Sequence, residues 1–281
     1  MDKRFSLHKI HHKDSFSFSP KDYSLFKFGD LSVAKMFGKA LFRGFIENHA
    51  EEVLNNDLYV FPSPFMAIPT ASNYLSYFFK EELDYYLFLN NLPSAKTGKI
   101  HRNQTYTIDY GNLSFEERKK LIANDTYYID RNAIQGKTCL FIDDIRITGS
   151  HEYTVQKILN SYEARGNFIF IYFAELMNKD IHPSIENFFN YYEIDSHEKV
   201  IELINKKEFT FNTRIIKFIL NLADEKFAEV MENINDDKKT KLFQLAISND
   251  YHLLEEYKDN LKKLYHGNQF AKRTKTKYWS A

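Results

Sequence analysis

Two uninterrupted apolar runs, Cys139-Leu140-Phe141-Ile142 and Phe168-Ile169-Phe170-Ile171-Tyr172-Phe173, constrain the fold of this chain most. Strands this apolar must be covered on both faces, which is the condition of the interior of a parallel sheet. Between them lies a segment with helical periodicity, 151–164, closed by Arg165-Gly166-Asn167. Strand, helix and strand in that order make a crossover unit. Asp57-Leu58-Tyr59-Val60-Phe61-Pro62 reads as a further short strand stopped by proline. Asp84 to Leu89 reads as another, after a helix over 73–83. Upstream, Val33, Met36, Phe37, Ala40, Leu41, Phe45 and Ile46 recur at helical spacing, with Ser32 placed to cap them. Ser114-Phe115-Glu116-Glu117 has the form of a capping box opening a helix to about Asn124. From Ile181 the pattern is helical, with segments at 224–234, 238–248 and 251–265 and at most one strand, Phe209–Phe211. The expected fold class is therefore α/β, a parallel sheet flanked by helices, over residues 1–180, with a C-terminal helical extension over 181–281.

The charge balance narrows the partners. There are 38 basic and 38 acidic side chains, whereas a protein built to hold a nucleic-acid backbone usually carries a basic excess. Only the tail Lys272-Arg273-Thr274-Lys275-Thr276-Lys277 is locally basic, so nucleic acid is disfavoured without being excluded. No window has the length and apolarity of a transmembrane helix, and no apolar leader follows Met1, so a cytoplasmic protein without a membrane span is expected. The single cysteine, Cys139, lies within an apolar strand and reads as a small buried hydrophobe. His8, His11 and His12 lack a second cluster of ligands, and no protein metal site is assigned to them. The long polar segment Asn90–Tyr110, read as lacking regular structure, carries Lys96, Lys99, His101 and Arg102.

The chemistry concentrates after Ile142. Asp143 and Asp144 stand where the strand meets its loop, and ligands of open parallel sheets bind beyond the carboxyl ends of strands. Thr148, Gly149 and Ser150 precede a helix that starts at His151, so hydroxyls, unobstructed amides and a helix dipole converge on one place suited to phosphate. An acid pair capping a helix is the plainer reading. The apolar strand before it, together with a second strand-end loop rich in hydroxyls at 63–72, favours a ligand site.

The run Ile142-Asp143-Asp144-Ile145-Arg146-Ile147-Thr148-Gly149-Ser150 resembles the phosphoribosyl-pyrophosphate (PRPP) signature of type I phosphoribosyltransferases. Gly111-Asn112-Leu113-Ser114, Glu117-Arg118 and Asn124 are similar to the segment before that signature in ComF-like members, and the likeness spans about residues 55–175. It implies a type I phosphoribosyltransferase-like fold and a pentosyltransferase that moves phosphoribosyl from PRPP to a nitrogen acceptor and releases pyrophosphate. By this resemblance Asp143 and Asp144 hold the ribose hydroxyls, and Ile145, Arg146, Thr148, Gly149, Ser150 and His151 complete the PRPP loop. Ser63 and Ile68 to Ser72 match the pyrophosphate loop, with Pro69, Thr70, Ala71 and Ser72 at its centre. The excursion 90–110 matches the hood, where Lys99 and Arg102 join the two acids as candidate catalytic residues. Magnesium is implied as an ion carried mainly by the substrate pyrophosphate.

Three positions depart from the family pattern: Ile147 replaces a threonine, His151 stands where a later threonine is frequent, and Arg146 adds a cation. They keep open a non-catalytic PRPP or nucleotide sensor, or an effector in a bacterial stress or defence system, with 181–281 available to a partner protein. Replacing Asp143 and Asp144 together by asparagine is expected to abolish PRPP binding and leave the melting temperature nearly unchanged.

Overall fold

The computed structural model describes residues 3–54, 57–102 and 127–267. Its centre is a five-stranded sheet made of β1 (Lys3–Ile10), β2 (Leu58–Pro62), β3 (Lys96–Thr97), β6 (Thr138–Arg146) and β7 (Asn167–Leu176). The order is β1-β7-β6-β2-β3 and every pairing is parallel. β4 (Ile100–Arg102) and β5 (Tyr127–Ile129) form a separate antiparallel pair.

The apolar runs fill both faces of the sheet, as the period of two requires. Leu140, Ile142, Ile169, Ile171 and Phe173 join the core beneath α1 (Pro20–Lys27), α2 (Leu31–Leu54) and α3 (Ala71–Leu89). Cys139, Phe141, Phe168, Phe170 and Tyr172 join the core on the opposite face, beneath α4 (Ser150–Ser161). There Phe61, Phe141 and Phe170 stand in register on three adjacent strands, with successive ring centroids 5.1 Å apart. Aligned aromatic pairs of this kind fix the register of the strands. Cys139 is fully buried, and burial pushes its thiol up to about 12, which suits a core residue and not a nucleophile.

Several sequence expectations change. Lys3–Ile10 is an edge strand whose partner, β7, lies far along the chain, so local pattern alone did not reveal it. Residues 84–89 are the last turns of α3; Leu83 and Leu87 are buried four apart, while exposed Tyr85 and Phe88 give the false look of a strand. Asp30, and not Ser32, caps α2, since its Oδ1 accepts from the Ser32 and Val33 amides at 3.0 and 3.2 Å. Within 90–102, β3 and β4 are regular structure where none was expected. β6 runs through both acids to Arg146, and Phe209 makes only an isolated bridge with Asp30. The capping box at 114–117, the ComF-like segment 111–124, residues 103–110 and the basic tail 272–277 lie outside the described residues.

The rest is helical: α5 (Ile185–Asn190), α6 (His197–Ile204), α7 (Thr213–Leu220), α8 (Asp224–Asn233), α9 (Asp236–Ser248) and α10 (Glu255–Gly267). Ile185 and Phe189 of α5 pack into the sheet core, whereas α6 to α10 build a core of their own that takes in Phe28 and Ile68. Among the described residues no helix is long and apolar enough to cross a membrane.

Candidate functional site

A cavity of about 470 Å³ opens at the carboxyl end of β6, between the sheet and the helical extension. The pleat of β6 decides what each acid does. Asp143 follows Phe141 onto the α4 face, and Asp144 follows Ile142 onto the face covered by α1. The Asp143 Oδ1 accepts from Ser63 Oγ at 2.6 Å and from the Asp144 amide at 2.8 Å, and its Oδ2 lies 3.3 Å from His151 Nδ1. Burial works against ionisation, but the hydrogen bond and charge of His151, with the donors from Asp144 and Ser63, hold this carboxyl well below the usual carboxylate range. Asp144 Oδ2 pairs with Lys27 Nζ and accepts from the Tyr23 hydroxyl at 3.0 Å. Burial pushes this second carboxyl up, Lys27 opposes that, and the neighbouring Asp143 charge adds to it. Burial and the Asp144 charge in turn lift the Tyr23 hydroxyl far above its ordinary range.

The loop after β6 is built to stay open at its backbone. Gly149 is the N-cap of α4 with φ +77°, the left-handed region that other residues enter at a cost. A Cβ there would come within 2.6 Å of Arg146 Nη2. Thr148 Oγ1 and Ser150 Oγ lie 2.8 Å apart beside the first turn of α4. The arrangement presents two hydroxyls and a helix N-terminus to the cavity, which suits an anion. Gly149→Ala is expected to cost about 1–3 kcal/mol through its backbone conformation and the displaced guanidinium. Urea unfolding checks this, and an unchanged midpoint would show that the loop relaxes freely.

Arg146 does not point its charge at the loop hydroxyls. Its Nε donates to Glu152 Oε2 at 2.7 Å and its Nη1 to Glu175 Oε1 at 3.1 Å. Arg4 reaches the same two carboxylates from β1, and the Tyr172 hydroxyl donates to Glu152 at 3.1 Å. Two arginines and two glutamates thus knot β1, β6, β7 and α4 together under the loop. Ile145 and Ile147 belong to the hydrophobic core.

A second corner of the cavity is formed by Ser63, Pro64, Thr70, Ala71 and Ser72. Thr70 is the N-cap of α3; its N–H and hydroxyl both donate to Asn73 Oδ1, at 2.6 and 2.8 Å. Pro69 uses its carbonyl to accept the Thr213 amide at 3.0 Å. Of the hood candidates, Lys96, Lys99 and His101 do not line the cavity. Lys96 pairs with Asp57 at 3.1 Å near the amino-terminal end of β2, away from the acids. Lys99 lies over the Phe65 ring, 4.4 Å from its centroid, and does not line the cavity. His101 packs against Tyr128 with centroids 5.9 Å apart, and the Arg102 side chain is outside the described part of the structure.

Sequence reading missed Tyr23 and Lys27, which reach Asp144 from more than a hundred positions away. It also missed Arg214 and Lys217 of α7, which line the far wall. A usable signal existed for the latter pair: two cations one turn apart on a helix whose other face is Ile215, Ile216, Ile219 and Leu220. Among the described residues no group of three or more His, Cys, Asp or Glu side chains could hold a metal ion.

A family model described as PRTase ComF-like matches residues 1–264. No curated protein matches the chain. Among solved structures, adenine phosphoribosyltransferase from Saccharomyces cerevisiae is 13% identical over 56% of this chain and 73% of its own, with a TM-score of 0.30. Hypoxanthine phosphoribosyltransferase from Trypanosoma cruzi is 17% identical over 53% of this chain and 68% of its own, also with a TM-score of 0.30. Purine phosphoribosyltransferase from Pyrococcus horikoshii is 11% identical over 51% of this chain and 85% of its own, with a TM-score of 0.29.

Proposed function

The chain belongs to the ComF-like phosphoribosyltransferase family, and from that premise we propose that it binds PRPP at the carboxyl end of β6 and transfers phosphoribosyl to a nitrogen acceptor. The observation that carries this reading is the meeting, in one cavity, of the ionised Asp143 carboxyl with the hydroxyls and helix start at Thr148 to Ser150. Asp143 accepts from the ribose hydroxyls. Thr148, Ser150, the loop amides and the α4 dipole hold the 5-phosphate. In the reaction the bond from the anomeric carbon to pyrophosphate breaks with its electron pair leaving on the pyrophosphate oxygen. The acceptor nitrogen supplies the pair for the new bond and releases its proton.

The sugar then carries oxocarbenium character, and the ionised Asp143 beside it stabilises that positive charge. A magnesium ion brought in on the pyrophosphate would neutralise the leaving group. The donor set fits such an ion, because Asp143 offers one carboxylate and magnesium takes its other ligands from phosphates and water. The helical extension lines one side of the cavity and would screen an activated sugar from water on that side.

A specific feature supports a second reading, a PRPP sensor without turnover. Ile147 is buried in the core where the family pattern has a hydroxyl, and Arg146 is held by Glu152 and Glu175. Calorimetric titration with PRPP and magnesium, followed by an assay of pyrophosphate release with nitrogen bases, separates the two. Asp143→Asn is expected to weaken PRPP about 10- to 100-fold, the loss of one or two charge-assisted hydrogen bonds. Wild-type protein that is folded and binds no PRPP would overturn both readings. Binding without release across the acceptors would select the sensor.

A further inference from the structure

The segment between β2 and α3, residues 63–70, is held from two sides. Its ends are tied to the sheet and to α3. Ser63 Oγ donates to Asp143 Oδ1 at 2.6 Å. Asn73 accepts the Thr70 amide at 2.6 Å and donates its side-chain amide to Ser63 O at 3.3 Å. These ends line the cavity through Ser63, Pro64 and Thr70.

The middle of the segment is held by the helical extension. Asn249 Oδ1 accepts both the Ala67 and the Ile68 amides, at 3.0 and 3.2 Å. The Thr213 amide donates to Pro69 O at 3.0 Å, and Thr213 Oγ1 donates to Ile68 O at 3.1 Å. The Ile68 side chain is buried in the core of the extension and not in that of the sheet. Backbone groups away from water must be paired, and prolines at 64 and 69 remove two donors that a local turn could have used. Two donors and two acceptors in the middle of this loop are therefore satisfied by residues 144 to 182 positions further along the chain.

A third tie runs to α1. Asn212 caps α7 by accepting from Arg214 N and Ile215 N at 3.0 and 3.2 Å, and its Nδ2 donates to Lys27 O at 3.0 Å. Lys27 is the residue whose ammonium pairs with Asp144. Asn249 ends α9, is almost fully buried and does not line the cavity, so its effect on a ligand there must pass through the loop.

We propose that Asn249, assisted by Thr213, is a positioning residue that sets the loop 63–70 from outside the cavity, so that the helical extension controls ligand binding at the carboxyl end of β6. This rests on the reading of the cavity as a PRPP site. Linkage makes the control reciprocal: a ligand against the loop steadies the ends of α7 and α9, and whatever loosens those ends weakens the ligand.

The test uses the full chain as wild type, Asn249→Ala, Thr213→Val, Thr213→Ser and Val230→Ala. Each protein is titrated with PRPP and magnesium and with ribose 5-phosphate, unfolded in urea, and followed by amide hydrogen exchange over residues 63–72. Asn249→Ala is expected to weaken PRPP about tenfold, since two loop amides lose their acceptor, and to change ribose 5-phosphate, held at Thr148 to Ser150, less than twofold. Thr213→Val should weaken PRPP about threefold, and Thr213→Ser, which keeps the hydroxyl, should stay within about twofold of wild type. Val230→Ala thins the core of the extension without touching the loop; it should lower the urea midpoint and leave PRPP within about twofold. PRPP should slow exchange of the Ala67 and Ile68 amides in wild type and fail to do so in Asn249→Ala.

Equal PRPP affinity in wild type and Asn249→Ala overturns the assignment. So does a loss that Val230→Ala shares, or a parallel loss of ribose 5-phosphate, because either marks general disruption. If Asn249→Ala does not fold, Thr213→Val against Thr213→Ser decides, and equal PRPP affinity in those two overturns it. A wild type that binds PRPP no better than its variants leaves the PRPP reading standing without this assignment. A folded wild type that binds neither ligand removes both.

Discussion

Replacing Asp144 by asparagine should cost the protein about 3–5 kcal/mol, because Lys27 then keeps a buried charge without its carboxylate. The expectation from sequence was that exchanging both acids would leave the melting temperature nearly unchanged. The pairing of Asp144 Oδ2 with Lys27 and Tyr23 replaces the second half of it: Asp144 is tied into the fold, while it lines the cavity beside Asp143. The double variant Asp144→Asn with Lys27→Met should recover most of the loss, since removing both members of a buried pair is far cheaper than removing one. Lys27→Met alone should cost less than Asp144→Asn. Burial and the Asp143 charge already push the Asp144 carboxyl up, so it takes a proton more readily once Lys27 is gone. Its penalty should therefore shrink as pH falls from 7 to 5. Urea unfolding of the four proteins at both pH values decides this; strictly additive losses would show that the pair does not couple.

The second large effect belongs to Glu152. It accepts from Arg4, Arg146 and the Tyr172 hydroxyl and is almost fully buried. Glu152→Gln should cost about 2–3 kcal/mol at neutral pH, less than a fully buried pair because Arg4 is partly exposed and its charge is screened. The pH dependence has a definite sign. Burial alone would raise the Glu152 carboxyl, but the hydrogen bonds and charges of Arg4 and Arg146 bring it below its ordinary value. A depressed carboxyl contributes stability above its unfolded pKa of about 4.3 and loses it as pH falls through the folded value. The gap between wild type and Glu152→Gln should accordingly be wide at pH 7 and close below about pH 4. A gap that stays constant through acid would mean that the charge of Glu152 does not carry its contribution.

What sequence could reveal tracks how local each cause is. The two apolar runs announced β6 and β7 because burial on both faces writes itself into consecutive residues. The acid pair, Thr148, Gly149 and Ser150 were legible for the same reason: one strand end, one loop and one helix start supply them all. The division of labour between Asp143 and Asp144 was not legible, since it depends on which face of the sheet α1 covers. Arg146 read as a cation for phosphate, and only the arrival of Glu152 and Glu175 from α4 and β7 shows where its charge goes. Lys96 and Lys99 lay in a polar stretch that composition marked as functional, yet their directions are set by Asp57 and Phe65, which precede them by more than thirty positions. α7 went unread because its role is fixed by contacts with Ile68 and Pro69, far away along the chain.

The place of β1 at the sheet edge bears on how the molecule is made. Its pairing joins Lys3 to Ile169, so the strand has no partner until β7 has been synthesised about 166 residues later. Contacts of such separation pay a loop-closure entropy before they return any stability. Glu152 and Glu175, already paired with Arg146, gain their second arginine in the same event, because Arg4 rides on that strand. That pairing is therefore electrostatic as well as topological: a segment translated long before β7 closes both the sheet edge and the ionic knot beneath the loop after β6.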